Sequence, residues 1–283
     1  MSDSWLAILT EGLSRLDIAP AEADNAAALR RVCRYYAELR KWSRSINLVA
    51  AAPEREQLET HFLDSLTLWP LIVQKCGIID SGSSIIASDK GSAGLRVQAR
   101  PPTPATPGRQ SGLIAPRCGV IDVGSGAGFP GLVLKCWRPE LLTVTLVEPR
   151  LKRVSFLRHV IRTLDLKGGI KVLPCRLEPG DRRPGLAKDQ EGGQEGGSQE
   201  SGEFTLITSR ACAAIAPLLN LCAPITPPGG LVVCMKGPRA EEELARWRLD
   251  QSLSPFLLEE VRTFSLPFSG APRNLLVFRR LAA

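Results

Sequence analysis

"VIDVGSGAGFPGLVLK", residues 120–135, places four glycines within eight positions directly after an apolar run. Such a stretch predicts a strand, a tight loop and the start of a helix, with side chains omitted where a ligand must come close to the backbone. The glycines fit two overlapping frames. Gly124, Gly126 and Gly128 spell the G-x-G-x-G of S-adenosylmethionine (SAM) sites, whereas Gly126, Gly128 and Gly131 spell the G-x-G-x-x-G of dinucleotide sites. The choice between them falls to the rest of the chain.

Downstream the pattern alternates. A strand at 119–123 leads through the glycine loop into a helix to about residue 137, and "LTVTLVE" is a second strand ending at Glu148. The helix "RLKRVSFLRHVIRTL" turns Val154, Leu157, Ile161 and Leu164 inward. "IKVLPC" ends a third strand at Cys175, "FTLITSR" supplies a fourth, and "PPGGLVVCMKG" a turn and a fifth. Alternating βα units predict a mostly parallel sheet covered on both faces. The tail "FLLEEVRTFSLPFSGAPRNLLVFRRL" predicts two more strands joined by a Pro/Gly loop, and so an antiparallel closure. A SAM-dependent methyltransferase of the Rossmann-like class adds such a strand, and a simple dinucleotide domain does not. The expected fold class is therefore α/β, a mostly parallel sheet with a closing antiparallel strand plus an N-terminal helical extension.

Upstream, Leu29, Val32, Cys33, Tyr36 and Leu39 recur at helical spacing between Asp24 and Trp42. A further helix after Pro53 carries Leu58, Phe62, Leu66 and Trp69 on one stripe. Residues 1–75 thus read as a helical cap and 118–283 as the domain that carries the chemistry. Between them, residues 80–117 break all periodicity with Pro, Gly, Ser and Thr, which predicts a flexible insertion, more basic than acidic. A second, acidic, low-complexity interruption covers 179–203.

The chain has 283 residues and a formal net charge of +7, which suits a polyanionic partner. Its eight cysteines show no C-x-x-C and no metal-ligand spacing, so neither a zinc site nor a disulfide framework is expected. The start "MSDSWLAILTEGL" lacks the basic and apolar regions of a signal peptide, and no run approaches the roughly 20 apolar residues of a membrane span. The expectation is a soluble, cytoplasmic monomer without metal or membrane.

Asp122 ends the first strand and Glu148 the second, at the carboxyl edge where open α/β sheets bind ligands. A carboxylate at Glu148 suits the ribose hydroxyls of any adenosine cofactor, or else caps the following helix. Pro130 discriminates between the frames: a pyrophosphate needs the amides that open the helix, and proline has none to give. The SAM frame follows, with Asp122 near the cationic methionine end. No N/D-P-P-Y/F motif follows the fourth strand, which reads "TSRACA", and Cys175 is read as a buried small residue, not a nucleophile. Guanine N7 suits a site without an acid/base pair, because its lone pair faces outward and no proton must leave. Two other classes stay open on residues alone: a nicotinamide-dependent oxidoreductase, and a non-catalytic RNA-binding protein holding a structural SAM.

Several stretches in order, "KWSRSINLV" (41–49), "HFLDSL" (61–66), "IDVGSGAGFPGLVL" (121–134), "KRVSFLRHV" (152–160), "ITSRACA" (207–213) and "MKG" (235–237), resemble the RsmG/GidB family of small-subunit ribosomal RNA guanine-N7 methyltransferases. The likeness runs from about residue 30 to 240, outside the two interruptions. It implies SAM as methyl donor and N7 of one guanine in small-subunit (16S) rRNA as acceptor. It further implies that Gly124 and Phe129 line the SAM site, that Leu177 and Glu178 flank the adenine, and that Arg210 faces the active centre. Glu148 stands where the family often has Asp. "HFLDSL" also offers a His, an Asp and a Ser, but no strained G-x-S-x-G elbow presents a nucleophile, and His61 and Ser65 are expected to hydrogen-bond where the cap meets the loop. Arg176 and the "RLKR" of 150–153 are candidate phosphate contacts.

Overall fold

The computed structural model describes residues 3–18, 22–78, 118–166, 168–181, 205–210, 212–251 and 254–282. The expected insertion at 80–117 lies outside the described residues, as does all but the start of the one at 179–203. Seven strands form one sheet: β1 (Cys118–Val123), β2 (Leu142–Val147), β3 (Ile170–Leu173), β4 (Thr205–Arg210), β5 (Leu231–Lys236), β6 (Phe256–Ser265) and β7 (Pro272–Arg280). Their spatial order is β3-β2-β1-β4-β5-β7-β6. The first five are parallel, and β7 runs antiparallel between β5 and β6. The closing antiparallel strand is thus present, and it is an inner strand, with β6 outside it.

Register brings the site to one rim. Asp122 pairs with Leu146 on one side and Thr208 on the other. The residues that leave β1, β2 and β4 therefore emerge level with each other at the carboxyl edge. Strand β1 is buried at five of its six positions because helices cover both faces, which explains its near-continuous apolar run. After its buried first residue, edge strand β6 alternates between exposed and half-buried instead, as expected of a half-wetted edge.

Helices α6 (Gly131–Trp137) and α7 (Leu151–Thr163) follow β1 and β2, and α8 (Ile215–Cys222) and α9 (Ala240–Asp250) follow β4 and β5. Before the sheet come α1 (Asp3–Arg15), α2 (Glu22–Trp42), α3 (Glu54–Gln57), a π-helical turn (Leu58–Leu63), α4 (Asp64–Leu66) and α5 (Trp69–Cys76). The predicted stripe of α2 is buried throughout, and α2 packs on α6 and α7 in one core that also holds Phe62 and Phe129. Each such buried side chain contributes about 1.5–3 kcal/mol. The regular helix expected after Pro53 instead widens into the π turn "LETHFL" and breaks before Trp69. Within that turn Glu59, 2% exposed, accepts the backbone N–H groups of Phe268 (2.6 Å) and Ser269 (2.8 Å), tying the helices to the β6–β7 loop.

Against the expectation of no disulfide framework, one pair is bonded: Cys76 and Cys118, with Cα atoms 6.0 Å apart. Forty-two residues separate them, and only the fold brings the end of α5 to the start of β1. The other six cysteines are free.

Candidate active site

Two clefts share a wall at the carboxyl rim. The first, of about 680 Å³, is lined by Gly124, Gly126, Glu148 and Leu177, with His61, Phe129, Arg210 and Cys212 on its flank. That volume is ordinary for a nucleoside-sized ligand.

The glycines divide by direction. Gly124 (φ 74°) and Gly126 (φ 60°) line the cleft in left-handed conformations that other residues resist. A Cβ on Gly124 would lie 2.7 Å from Cys212 Sγ. Gly128 (φ 100°) faces inward, where a Cβ would meet Tyr35 Oη at 2.5 Å and Leu132 Cβ at 2.9 Å. Gly131 faces inward too, its Cβ position 2.7 Å from Leu146 Cδ2 and 2.8 Å from Asp122 Cβ. The last glycine of either frame therefore serves packing between loop, helix and sheet. Tyr35 fixes the turn by donating to the carbonyl of Ala127.

The amides that open α6 are already engaged. Phe129 N–H donates to Ser125 O (3.0 Å), Pro130 has none, Gly131 N–H donates to Asp122 Oδ2 (2.9 Å) and Leu132 N–H to Gly128 O (2.9 Å). Residues 129–132 therefore offer no free donor to a pyrophosphate. Asp122 itself is wholly buried and points under the loop, not into the cleft, so its use is to hold the helix start. Burial pushes its carboxyl up to about 7, against the opposing pull of the Gly131 amide and Arg210.

Glu148, 3% exposed, stands at the end of β2 as the second carboxylate on the rim. Its Oε2 accepts Gly126 N–H (2.8 Å) and its Oε1 accepts Arg150 N–H (2.9 Å) at the start of α7. It is both loop brace and helix cap, and each oxygen keeps a lone pair toward the cleft. The residues fit a SAM-like nucleoside here: two left-handed glycines vacate room, and a buried carboxylate stands in the cleft wall.

The shared wall is a stack. Phe129 lies parallel to His61 (centroids 4.9 Å apart), with the Arg210 guanidinium 4.9 Å over the Phe129 ring. Arg210 donates from Nη1 to Thr60 O (2.6 Å) in the π turn and lies 3.3 Å from both Asp64 Oδ2 and His61 Nδ1. Burial first, and the Arg210 charge second, lower His61 to about 3, so this ring is neutral at physiological pH. Ser65 Oγ bonds to the carbonyl of His61, and it is stacking that carries His61 to the loop.

Beyond the wall lies the second cleft, of about 770 Å³, over β4, β5 and β7. Lys236, Arg239 and Arg273 bring positive charge, and Asp64 and Glu243 bring negative charge. Asp64, 4% exposed, bridges Arg210 (3.3 Å) and Arg273 (3.3 Å), fixing two guanidiniums from different strands. Desolvation nevertheless raises its carboxyl above the usual range.

Among the residues singled out from sequence, Gly124, Gly126, Phe129, Glu148, Leu177 and Arg210 line the first cleft, and Arg176, Arg150 and Arg153 stand at its border. Asp122 and Gly128 do not line it, and Glu178 is exposed beside it. Cys175 is half-buried and lines the cleft, not sealed in the core. Arg239, Glu243 and Arg273 had no sequence signal beyond their charge, and Asp64, part of "HFLDSL", had none for its bridging role. Among the described residues no group of three His, Cys, Asp or Glu gathers to hold a metal ion, and no helix is long and apolar enough to cross a membrane.

Comparison with known proteins bears on this geometry. The sequence profile of GidB, described as rRNA small subunit methyltransferase G, matches residues 112–271. A protein named ribosomal RNA small subunit methyltransferase G from Desulfotalea psychrophila is 34% identical over 250 residues, covering 88% of each chain. Another of that name from Roseiflexus sp. is 32% identical and covers 90% of this chain and 84% of its own. A solved rRNA methylase from Streptococcus thermophilus is similar at a TM-score of 0.39 and 10% identity, over 59% of this chain and 89% of that one, too loose a likeness to argue from. A profile match over more than half the chain, with one-third identity along nearly all of it, settles the kinship: the chain belongs to the GidB, or rRNA small subunit methyltransferase G, family.

Proposed function

We propose that this protein transfers a methyl group from SAM to N7 of a guanine in small-subunit (16S) ribosomal RNA. The observation that carries the choice of cofactor is the start of α6, where the amides of Phe129, Gly131 and Leu132 are bonded within the protein and Pro130 has none. A dinucleotide would find no phosphate grip there, whereas a phosphate-free nucleoside loses nothing. The family relationship supplies the rRNA.

Bound SAM supplies an activated methyl on a sulfonium. On this reading Gly124 and Gly126 let it lie against the loop, the free lone pairs of Glu148 accept ribose hydroxyls, and Leu177 packs near the adenine with Glu178 at the rim. Phe129 and neutral His61 give an uncharged wall beside the reacting centre. Arg210, its charge balanced by Asp64, holds the acceptor nucleotide without placing a bare cation over the purine. Catalysis is by alignment, with no general base. We further take residues 118–283 as the transferase domain, 1–75 as its cap, and the working state as a cytoplasmic monomer.

Two experiments test this. SAM, and not NAD, should raise the melting temperature of the purified protein. Small-subunit rRNA from cells lacking the gene should lack one 7-methylguanosine present in the parent; an unchanged modification map would refute the proposal.

A further inference from the structure

The second cleft contains a carboxylate with no task in the mechanism above. Glu243, in the first turn of α9, lines that cleft, and its Oε2 lies 2.8 Å from Lys236 Nζ. Lys236 Nζ also donates to Ala213 O (2.5 Å), so the lysine is anchored to the loop after β4 and fixes the carboxylate in turn. Oε2 is itself buried from solvent, whereas Oε1 carries no hydrogen bond among the described residues. Asp64, the other acid of the cleft, is committed to two arginines. One oriented carboxylate oxygen therefore remains to meet a ligand.

We infer that Glu243 reads the Watson–Crick edge of the acceptor guanine, an assignment that rests on the function proposed above. N7 must reach the methyl donor directly, at the edge of the shared wall where the two clefts meet, and N1–H and the 2-amino group are on the opposite side of the ring system. That edge then points away from β1 and across β4 and β5, toward the helix that follows β5, which is α9. N1–H and the 2-amino N–H are adjacent, roughly parallel donors, and the two lone pairs of the remaining oxygen, Oε1, can accept both. Adenine offers a lone pair at N1 and would be repelled.

The same contact favours transfer. As the N7 lone pair forms its bond to the methyl carbon, the carbon–sulfur bond breaks toward sulfur and the positive charge moves onto the purine. No proton leaves, but N1–H becomes a stronger donor, so its bond to Glu243 tightens as the transition state is reached. Lys236 keeps the carboxylate aimed without entering the purine plane itself.

The test uses rRNA, free or reconstituted into subunits, with guanine or inosine at the one nucleotide that the wild-type enzyme methylates. Inosine lacks only the 2-amino group. Wild type should favour guanine by about tenfold or more in kcat/KM, and Glu243→Ala should methylate both slowly with that preference gone. Glu243→Gln keeps size and a bond to Lys236 but turns an amide toward the base donors, and it too should lose the preference. Equilibrium binding of the two RNAs without cofactor reads the contact apart from methyl transfer and should show the same collapse. Equal use of guanine and inosine by wild type, or a preference that survives in both variants, overturns the inference. Failure of wild type to methylate the guanine RNA at all strikes the proposed function instead.

Discussion

The cleft over β1 and β2 is shaped by backbone, with two left-handed glycines and one buried carboxylate; the cleft over β4, β5 and β7 is shaped by charged side chains from four separate elements. The first needs close approach, so small changes in bulk should be decisive there. The second works by charge and orientation, so its residues should act singly and by degrees. The wall of Phe129, His61 and Arg210 joins the two and belongs to both tasks.

The largest expected effect is in the first cleft. Gly124→Asp should lower SAM affinity by at least about a hundredfold and remove methyl transfer, while circular dichroism shows a folded chain. Gly124→Ala should be milder in a Cys212→Ala background, because the clashing Sγ, 2.7 Å from the added Cβ, is then absent. Undiminished SAM affinity in Gly124→Asp would break the contrast between the clefts.

Gly128 sharpens it from inside the same loop. Gly128→Ala should cost about 2–4 kcal/mol of stability in urea unfolding, through overpacking against Tyr35 and a strained positive φ. Per folded molecule, its SAM affinity should stay near wild type.

The wall gives a pH signature. His61 is held at about 3 when folded, below its unfolded value of about 6.5. Its neutral form therefore costs nothing above pH 6.5, and stability is lost progressively as pH falls from there toward 3. The melting temperature of wild type should drop more steeply than that of His61→Gln between pH 7 and pH 4.5. Asp122 works the other way, its raised carboxyl giving stability that is lost as pH rises through about 7, and it cancels because both proteins carry it.

The smallest effect belongs to the second cleft. Arg239, exposed at its rim, fits a phosphate contact. Arg239→Ala should weaken rRNA binding several-fold and lower the slope of log K against log salt by about one, with SAM affinity unchanged.

The same contrast explains what the sequence discloses. One wall of the first cleft is a contiguous string: the apolar run of β1, the glycine loop and Pro130 together predict a strand, a close approach and a helix without a phosphate grip. Sequence alone does not say which glycines face outward, since Gly124 and Gly128 sit two residues apart in one motif yet point to cleft and core. Nor does it show that Asp122 spends its carboxylate on Gly131 beneath the loop. The second cleft joins residues 60–64, 210–214, 235–243 and 273, and no periodicity links them. The Asp64 bridge between Arg210 and Arg273 exists only because β7 enters between β5 and β6, a strand order that tail composition does not encode.

The central claim is that the glycine-lined cleft holds a sulfonium nucleoside whose methyl goes to a guanine beyond the Arg210 wall. Incubating the purified protein with methyl-labelled SAM and unmodified small-subunit rRNA, then digesting to nucleosides, tests it most directly. The account predicts label in a single 7-methylguanosine per RNA, absent with Gly124→Asp; label in any other nucleoside, or none at all, would contradict it.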